Sequence, residues 1–323
     1  MADMPSDISQ HCPGTASKDA GKASICTNCP NQMICASGIS QQPDLTADLI
    51  KRKLSTVKHK LLVLSGKGGV GKSTITSLIS RSLALNNPDI NVAVLDIDIC
   101  GPSQPRVLGV IGEQVHQSGS GWSPVLTDLY KTLARDVFNM LTDIYIDKPD
   151  AQLRGMIKQF LSEVDWGALD YLILDTPPGT SDEHLSATSY LKHAGITGVI
   201  IITTPQQVAL LDVRKEIDFC RKVNIPILGV IENMSIFVCP NCNNSVEIFP
   251  ALTGGGCVMA KELNVEFLGS LPLDPLLAKC CDEGKNFLTE IPESPTILTL
   301  QTIVQKIIDR CEKIKHPSEI DTT

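Results

Sequence analysis

A chain of 323 residues with 42% hydrophobic content has room for about two average domains or one large α/β domain, with enough apolar residues for a buried core. Its formal net charge of −8 argues against a general binder of nucleic acid or of anionic membrane. The start, Met1-Ala2-Asp3-Met4-Pro5, opens no apolar leader, and no run approaches the roughly 18 apolar residues of a membrane helix, so a soluble protein of the cell interior is expected.

Residues 1–56 are rich in Gly, Pro, Ser, Asn and Gln, have no sustained periodicity, and read as a loop-dominated extension. Twelve cysteines is a high count for a reducing compartment, where disulfides rarely persist, and clustered thiols there point to metal or redox chemistry. Cys12, Cys26, Cys29 and Cys35 follow a C-x13-C-x2-C-x5-C spacing, so one short segment can wrap a tetrahedral centre. Zinc usually takes two C-x2-C knuckles and only one is present, so a ferredoxin-like 4Fe–4S cluster fits better.

An apolar run at Leu61–Ser65 then starts a pattern of buried strands alternating with helices. Further strands are expected at Val92–Asp96, Tyr171–Asp175, Val199–Thr203, Ile227–Ile231 and Phe267–Leu271, with helices at Ser73–Leu85, Glu183–Lys192 and Gln207–Lys222. Short apolar strands separated by helices imply an α/β fold, a doubly wound and mostly parallel sheet over residues 57–316. A small hairpin-like insertion at 236–256 interrupts it, and residues 317–323 read as a disordered tail.

After the first strand comes Gly66-Lys67-Gly68-Gly69-Val70-Gly71-Lys72-Ser73-Thr74, which satisfies G-x-x-x-x-G-K-[ST] between a strand and a helix. Glycines let backbone N–H groups turn inward around phosphates, and the following helix adds its positive end. Lys72 is placed to reach the β- and γ-phosphates of ATP, and the Ser73 hydroxyl to complete a Mg²⁺ shell. The second lysine, Lys67, marks the deviant Walker A group and resembles the MinD, ParA, arsenite-pump and nitrogenase iron-protein ATPases. The resemblance implies that Lys67 reaches a partner's phosphates across a dimer interface. Two strands end in acids: Asp96, followed by Asp98, and Asp175, followed by Thr176-Pro177-Pro178-Gly179. Asp98 is the expected orienter of the attacking water, Asp96 and Asp175 support Mg²⁺, and Gly179 senses the γ-phosphate. Asn233 sits where this group reads the adenine edge.

Cys239 and Cys242, in Cys239-Pro240-Asn241-Cys242, offer two ligands only. A redox dithiol, a zinc ribbon completed by Cys257, and half of a cluster shared across a two-fold axis all remain open, and the dimer implied by Lys67 favours the last. The scattered Cys100, Cys220, Cys257, Cys280, Cys281 and Cys311 read as buried inert thiols.

Taken together, the four-cysteine signature, GKGGVGKST, DIDICGPSQP, DTPPGTSDEHLS, TTPQQVALLDVRKEIDFC, GVIENMSIFVCPNC and LGSLPLDP closely resemble the cytosolic iron–sulfur assembly scaffold ATPases of the long nucleotide-binding-protein-1 type, relatives of the bacterial Mrp carriers. The resemblance covers most of residues 12–35 and 57–128, and then about 155–290. It implies a stable N-terminal 4Fe–4S cluster and a labile one bridging the Cys239/Cys242 pairs of two protomers. It also implies ATP- and Mg²⁺-dependent transfer to cytosolic and nuclear apoproteins. The implied partners are a second copy or a shorter paralogue without the N-terminal cysteines, together with targeting factors; neither nucleic acid nor membrane is among them. The pattern breaks at Leu129–Asp150, which reads as helix-forming where the family carries a strand and a Trp-Arg-Gly-Pro-Lys-Lys motif; only Arg154-Gly155 matches.

A positioning ATPase of the MinD/ParA kind would need a membrane helix or a basic face. The C-terminal helix around Ile297, Leu300, Ile303, Val304, Ile307 and Ile308 is amphipathic, but Asp309 and Glu312 dilute its charge, so packing on the sheet is expected. An electron-transfer ATPase like the nitrogenase iron protein is disfavoured because the cysteine pair is a local C-x-x-C.

Overall fold

The computed structural model describes residues 45–98, 101–114, 116–119, 121–127, 135–136, 150–179, 182–239, 242 and 244–314, with positions 22, 23, 26 and 32 before them. The chain divides into two compact units, Met1–Leu45 and Thr46–Thr323. In the first, Cys26 is buried and its N–H donates to the Ala23 carbonyl at 2.8 Å, while Cys12, Cys29 and Cys35 lie outside the described residues. The second unit therefore starts earlier than the boundary expected after residue 56. The polar helix α1 (Leu45–Lys53) carries Ile50, and Ile50 and Leu54 are fully buried in the core.

The strands are β1 (Val57–Ser65), β2 (Val92–Asp96), β3 (His116–Ser118), β4 (Gly121–Ser123), β5 (Val125–Leu126), β6 (Arg135–Asp136), β7 (Leu169–Asp175), β8 (Gly198–Thr203), β9 (Ile227–Glu232), β10 (Phe237–Val238), β11 (Ser245–Val246) and β12 (Phe267–Ser270). After α1 the helices are α2 (Lys72–Asn86), α3 (Gln104–Leu108), α4 (Asp150–Glu163), α5 (Asp182–His193), α6 (Gln207–Lys222), α7 (Gly255–Glu262), α8 (Pro275–Glu283), α9 (Phe287–Glu290) and α10 (Pro295–Lys313). Six strands form one parallel sheet in the order β12-β9-β8-β1-β7-β2. The expected doubly wound sheet is thus present, and each of its strands coincides with an expected one to within four residues at either end.

Alternate residues of the buried strands feed two cores, as a sheet covered on both faces requires. Leu62, Leu64, Leu172, Leu174 and Ile201 face one layer with Phe160, Leu191, Val213 and Ile217. Leu61, Val63, Ile173, Ile200 and Ile202 face the other with Ile75, Leu78, Ile79 and α10. In α10, Ile297, Leu300, Ile303, Val304, Ile307 and Cys311 are buried, so the amphipathic C-terminal helix packs on the sheet as expected. No helix among the described residues is long and apolar enough to cross a membrane.

The register places the chemistry. Asp96 pairs in register with Asp175 at the carboxyl ends of β2 and β7, and Val63 of β1 lies beside Asp175. The P-loop leaves the next residues of β1, the central strand at which chain order reverses; such switch points open the crevice where α/β sheets bind ligands. Within Leu129–Asp150, where helix was expected, Arg135–Asp136 instead forms a short antiparallel pair with Val125–Leu126. Cross-strand pairing overrides local helix propensity there; residues 129–134 and 137–149 lie outside the described residues, as does the whole of the expected tail at 317–323.

Candidate nucleotide and metal-cluster site

Ser65, Lys67, Gly68, Gly69, Gly71, Lys72, Ser73, Thr74, Asp98 and Pro178 line a cavity of about 210 Å³ at the carboxyl end of β1. The loop can take this path because Gly71 lies in the left-handed region at φ 83°, and any Cβ there would collide with the Asn233 amide. Asn233 is buried and its Nδ2 donates to the Val70 carbonyl at 2.9 Å, so it braces the loop from behind. Its own N–H donates to the Thr203 carbonyl at 2.7 Å.

Lys72, 6% exposed, forms a buried ion pair with Asp175, 0% exposed. Gln104 Nε2 reaches the same carboxylate at 2.7 Å and the Ser73 carbonyl at 3.0 Å, joining the strand-end acid to the P-loop helix. Gln104 is fully buried and its Oε1 has no partner among the described residues, an acceptor a metal-bound water could use. Asp96 accepts from the backbone N–H groups of Asp98, Ser103 and Gln104, each at 3.0 Å, and so shapes the loop that carries Asp98 to the cavity. Gly179 has φ 80°, and its N–H donates to the Ser65 carbonyl at 2.8 Å, which brings the second switch beside the P-loop. Glycine N–H groups, a lysine, a helix-start hydroxyl and paired acids fit a nucleoside triphosphate with a divalent cation.

Burial, and then the neighbouring Asp175 charge, push the Asp96 carboxyl up to about 7 despite its three backbone donors. An unfolded Asp titrates near 3.9, so between about pH 4 and pH 7 the folded chain binds more protons than the unfolded one. The contribution of Asp96 to stability is full below that window and is lost as pH rises through about 7. Each pH unit crossed inside the window weakens the fold by about 1.4 kcal/mol. Glu216, raised to about 7 mainly by burial, acts in the same direction. Nucleotide-free protein is therefore expected to melt several degrees lower at pH 8 than at pH 6. Asp96→Asn should flatten that slope; an unchanged slope in the variant contradicts this origin.

Lys67 is half exposed and pairs with Asp212 of α6 at 3.2 Å. Hydrogen bonds from Lys215 and Lys67 hold the Asp212 carboxyl below its usual range. Gln104 and Asp212 were not legible as site residues. The glutamine sits in DIDICGPSQP and the aspartate mid-helix in TTPQQVALLDVRKEIDFC, segments that carry the family resemblance but give neither residue a partner.

Cys239 is half-buried and Cys242 exposed, on the hairpin formed by β10 and β11. Among the described residues no Cys, His, Asp or Glu joins them in a group of three that could hold a metal, Cys257 included. Two accessible thiolates fit a centre that draws its other ligands from outside the chain. Cys220 and Cys311 are buried and pushed up to about 12, chiefly by burial, and Cys280 and Cys281 are buried and shifted the same way, as inert thiols should be. Cys257 is half-buried, and Cys100 lies outside the described residues.

A switch-point P-loop followed by two strand-end acids defines a P-loop NTPase, and the second lysine places it in the deviant Walker A class. The family model described as ParA, NUBPL iron-transfer P-loop NTPase matches residues 56–308. A cytosolic Fe-S cluster assembly factor Nubp1 homolog of Drosophila willistoni is 57% identical over 304 residues, 93% of this chain and 97% of the relative. A nucleotide-binding protein from Archaeoglobus fulgidus, solved in complex with ADP, is 33% identical with a TM-score of 0.65, covering 78% of this chain and 95% of its own. The septum site-determining protein MinD of Pyrococcus horikoshii, complexed with Mg-ADP, is 21% identical with a TM-score of 0.57 over 77% of this chain and 95% of its own, a likeness of fold alone. The chain belongs to the NUBPL-type iron-transfer P-loop NTPase family.

Proposed function

We propose that this protein is an ATP-dependent scaffold that assembles 4Fe–4S clusters and transfers them to apoproteins of the cytosol and nucleus. The observation that carries this reading is a cysteine pair, one half-buried and one exposed, on the segment that leaves the strand end bracing a deviant P-loop. The relative named as a cytosolic Fe-S cluster assembly factor supports the same reading and its compartment. The cluster at Cys239 and Cys242 is cargo, bridging two protomers or this chain and a shorter paralogue. The centre on Cys12, Cys26, Cys29 and Cys35 is resident.

In hydrolysis, Lys72 leaves Asp175 for the β- and γ-phosphates; Asp175 and the Ser73 hydroxyl are the groups that would hold a Mg²⁺ ion, which would neutralise charge on those phosphates. Asp98 orients the water that attacks the γ-phosphorus, and Gly179 follows the γ-phosphate as it leaves. Asn233, besides bracing the loop, lies at the adenine edge. Lys67 exchanges Asp212 for the partner's phosphates, and turnover is slow because it waits for the dimer to form.

Lys67→Ala is expected to keep nucleotide affinity within about threefold and to cut hydrolysis about a hundredfold, the cost of losing one charge-stabilising donor in the transition state. Equilibrium binding and single-turnover rates separate the two, and normal hydrolysis by the variant would remove the trans role of this lysine. The function is tested by iron and sulfide analysis of anaerobically purified protein, followed by transfer to an apo iron–sulfur protein. Iron and sulfide in equal amounts with ATP-dependent transfer is the expected result; zinc in their place overturns the reading.

A further inference from the structure

The sheet carries a third strand-end acid, which the hydrolytic site does not use. Glu232, the last residue of β9, is 7% exposed and forms no ion pair among the described residues. A buried carboxylate without a cation is costly unless hydrogen-bond donors surround it. Its Oε2 accepts from the Gly256 N–H at 2.5 Å and its Oε1 from the Ser270 hydroxyl at 3.4 Å. The Gly256 N–H opens helix α7, so Glu232 clamps the start of that helix to the end of the central sheet. The approach is close: a Cβ on Gly255, at φ 66°, would sit 2.5 Å from that carboxylate oxygen.

Both legs of the cysteine hairpin start from this point. The outgoing leg follows Glu232 directly: Asn233 holds the P-loop carbonyl of Val70, and Met234 turns through φ 57°. Ser235 and Ile236 are then tied to Leu271 and Leu273, at 3.0 and 2.7 Å, ahead of Phe237-Val238-Cys239. The return leg leaves β11 and comes back to the sheet at Gly255-Gly256, under the Glu232 carboxylate. Val70 and Gly71 are the backbone that phosphates would touch. A displacement of that loop reaches the outgoing leg through Asn233, and it moves the hairpin as a unit only if the return leg is anchored to the same strand end.

We propose that Glu232 is a positioning residue that couples the nucleotide site to the Cys239/Cys242 hairpin by anchoring the hairpin's return leg. The proposal deepens the scaffold reading and rests on it for the meaning of the two thiols. Its test does not depend on a bound cluster.

In the full-length chain, freed of iron by chelation, the alkylation rates of Cys239 and Cys242 by iodoacetamide are followed by peptide mass, with and without Mg-ADP. The wild-type rates should change about fivefold or more on nucleotide binding, the size of an ordinary site-to-site coupling. Glu232→Ala should bind Mg-ADP within about twofold of wild type yet lose that response, whereas Glu232→Gln, which keeps an acceptor for the Gly256 N–H, should retain it. Should Glu232→Ala not fold, Glu232→Met fills much of the same space without an acceptor for the Gly256 N–H and should uncouple the sites equally. A wild-type chain without a response overturns the proposal, and so does a nucleotide-bound Glu232→Ala or Glu232→Met chain with the wild-type response. A response in a chain that never acquires iron supports the coupling and overturns the scaffold reading instead.

Discussion

Ser73→Ala is expected to reduce ATP hydrolysis by a factor of about 10²–10³ at an unchanged melting temperature, while Lys72→Ala should abolish hydrolysis and also destabilise the fold. The difference comes from what each side chain touches. The Ser73 hydroxyl lines the cavity, and the bond that ties this residue to Gln104 uses its backbone carbonyl, which the substitution leaves in place. Lys72 is the cation paired with Asp175, and Asp175 lies in register with Asp96, both carboxylates being fully buried. Removing the ammonium leaves two acids together in the interior, a change that costs about 3–5 kcal/mol when one partner of a buried pair is lost. Melting curves at pH 6 and pH 8 check the origin, since the deficit should be smaller at pH 6, where Asp96 is protonated. Equal melting temperatures for Lys72→Ala and wild type at pH 8 would contradict the role given to the ion pair.

Cys239→Ser or Cys242→Ser should remove about a third of the bound iron, from about twelve to about eight atoms per two chains, weaken dimerisation and abolish cluster transfer, while the spectrum of the N-terminal centre persists. Each chain presents two thiols here, one half-buried and one exposed, and a 4Fe–4S cluster takes four ligands. Symmetry can supply the other two without any further residue. A cluster held by two exposed hairpins, at an interface that nucleotide remodels, should be the more labile of the two. Full iron content and full transfer in either variant would place the cargo elsewhere.

Much of this is legible in the amino-acid sequence alone. Strands of a parallel sheet are buried on both faces, so they stand out as apolar runs such as Leu61–Ser65 and Val199–Thr203 bounded by Gly, Pro, Thr or Asp. The P-loop is written in consecutive residues because backbone amides do the binding. What stayed hidden depends on contacts between distant positions. Asp212 meets Lys67, Gln104 meets Asp175, and Glu232 meets Gly256 only because strand order and register bring them together. Local composition carries no trace of such pairings. The helix Leu45–Lys53 was hidden for another reason: its nine residues are mostly polar or charged, and its place in the core rests on Ile50, with Leu54 just beyond it.

Nucleotide-binding chains are expected to share a cluster at Cys239 and Cys242, and anaerobic sedimentation with iron analysis of each species tests this sharing most directly. The chain truncated before Leu45 is suited to this, since it keeps Ile50 and Leu54 for the core and lacks the four N-terminal cysteines. Iron is expected only in the dimer, at about four atoms per two chains, with iron-free monomer. A monomer carrying a full cluster would contradict the bridging arrangement and call for a closed site within one chain.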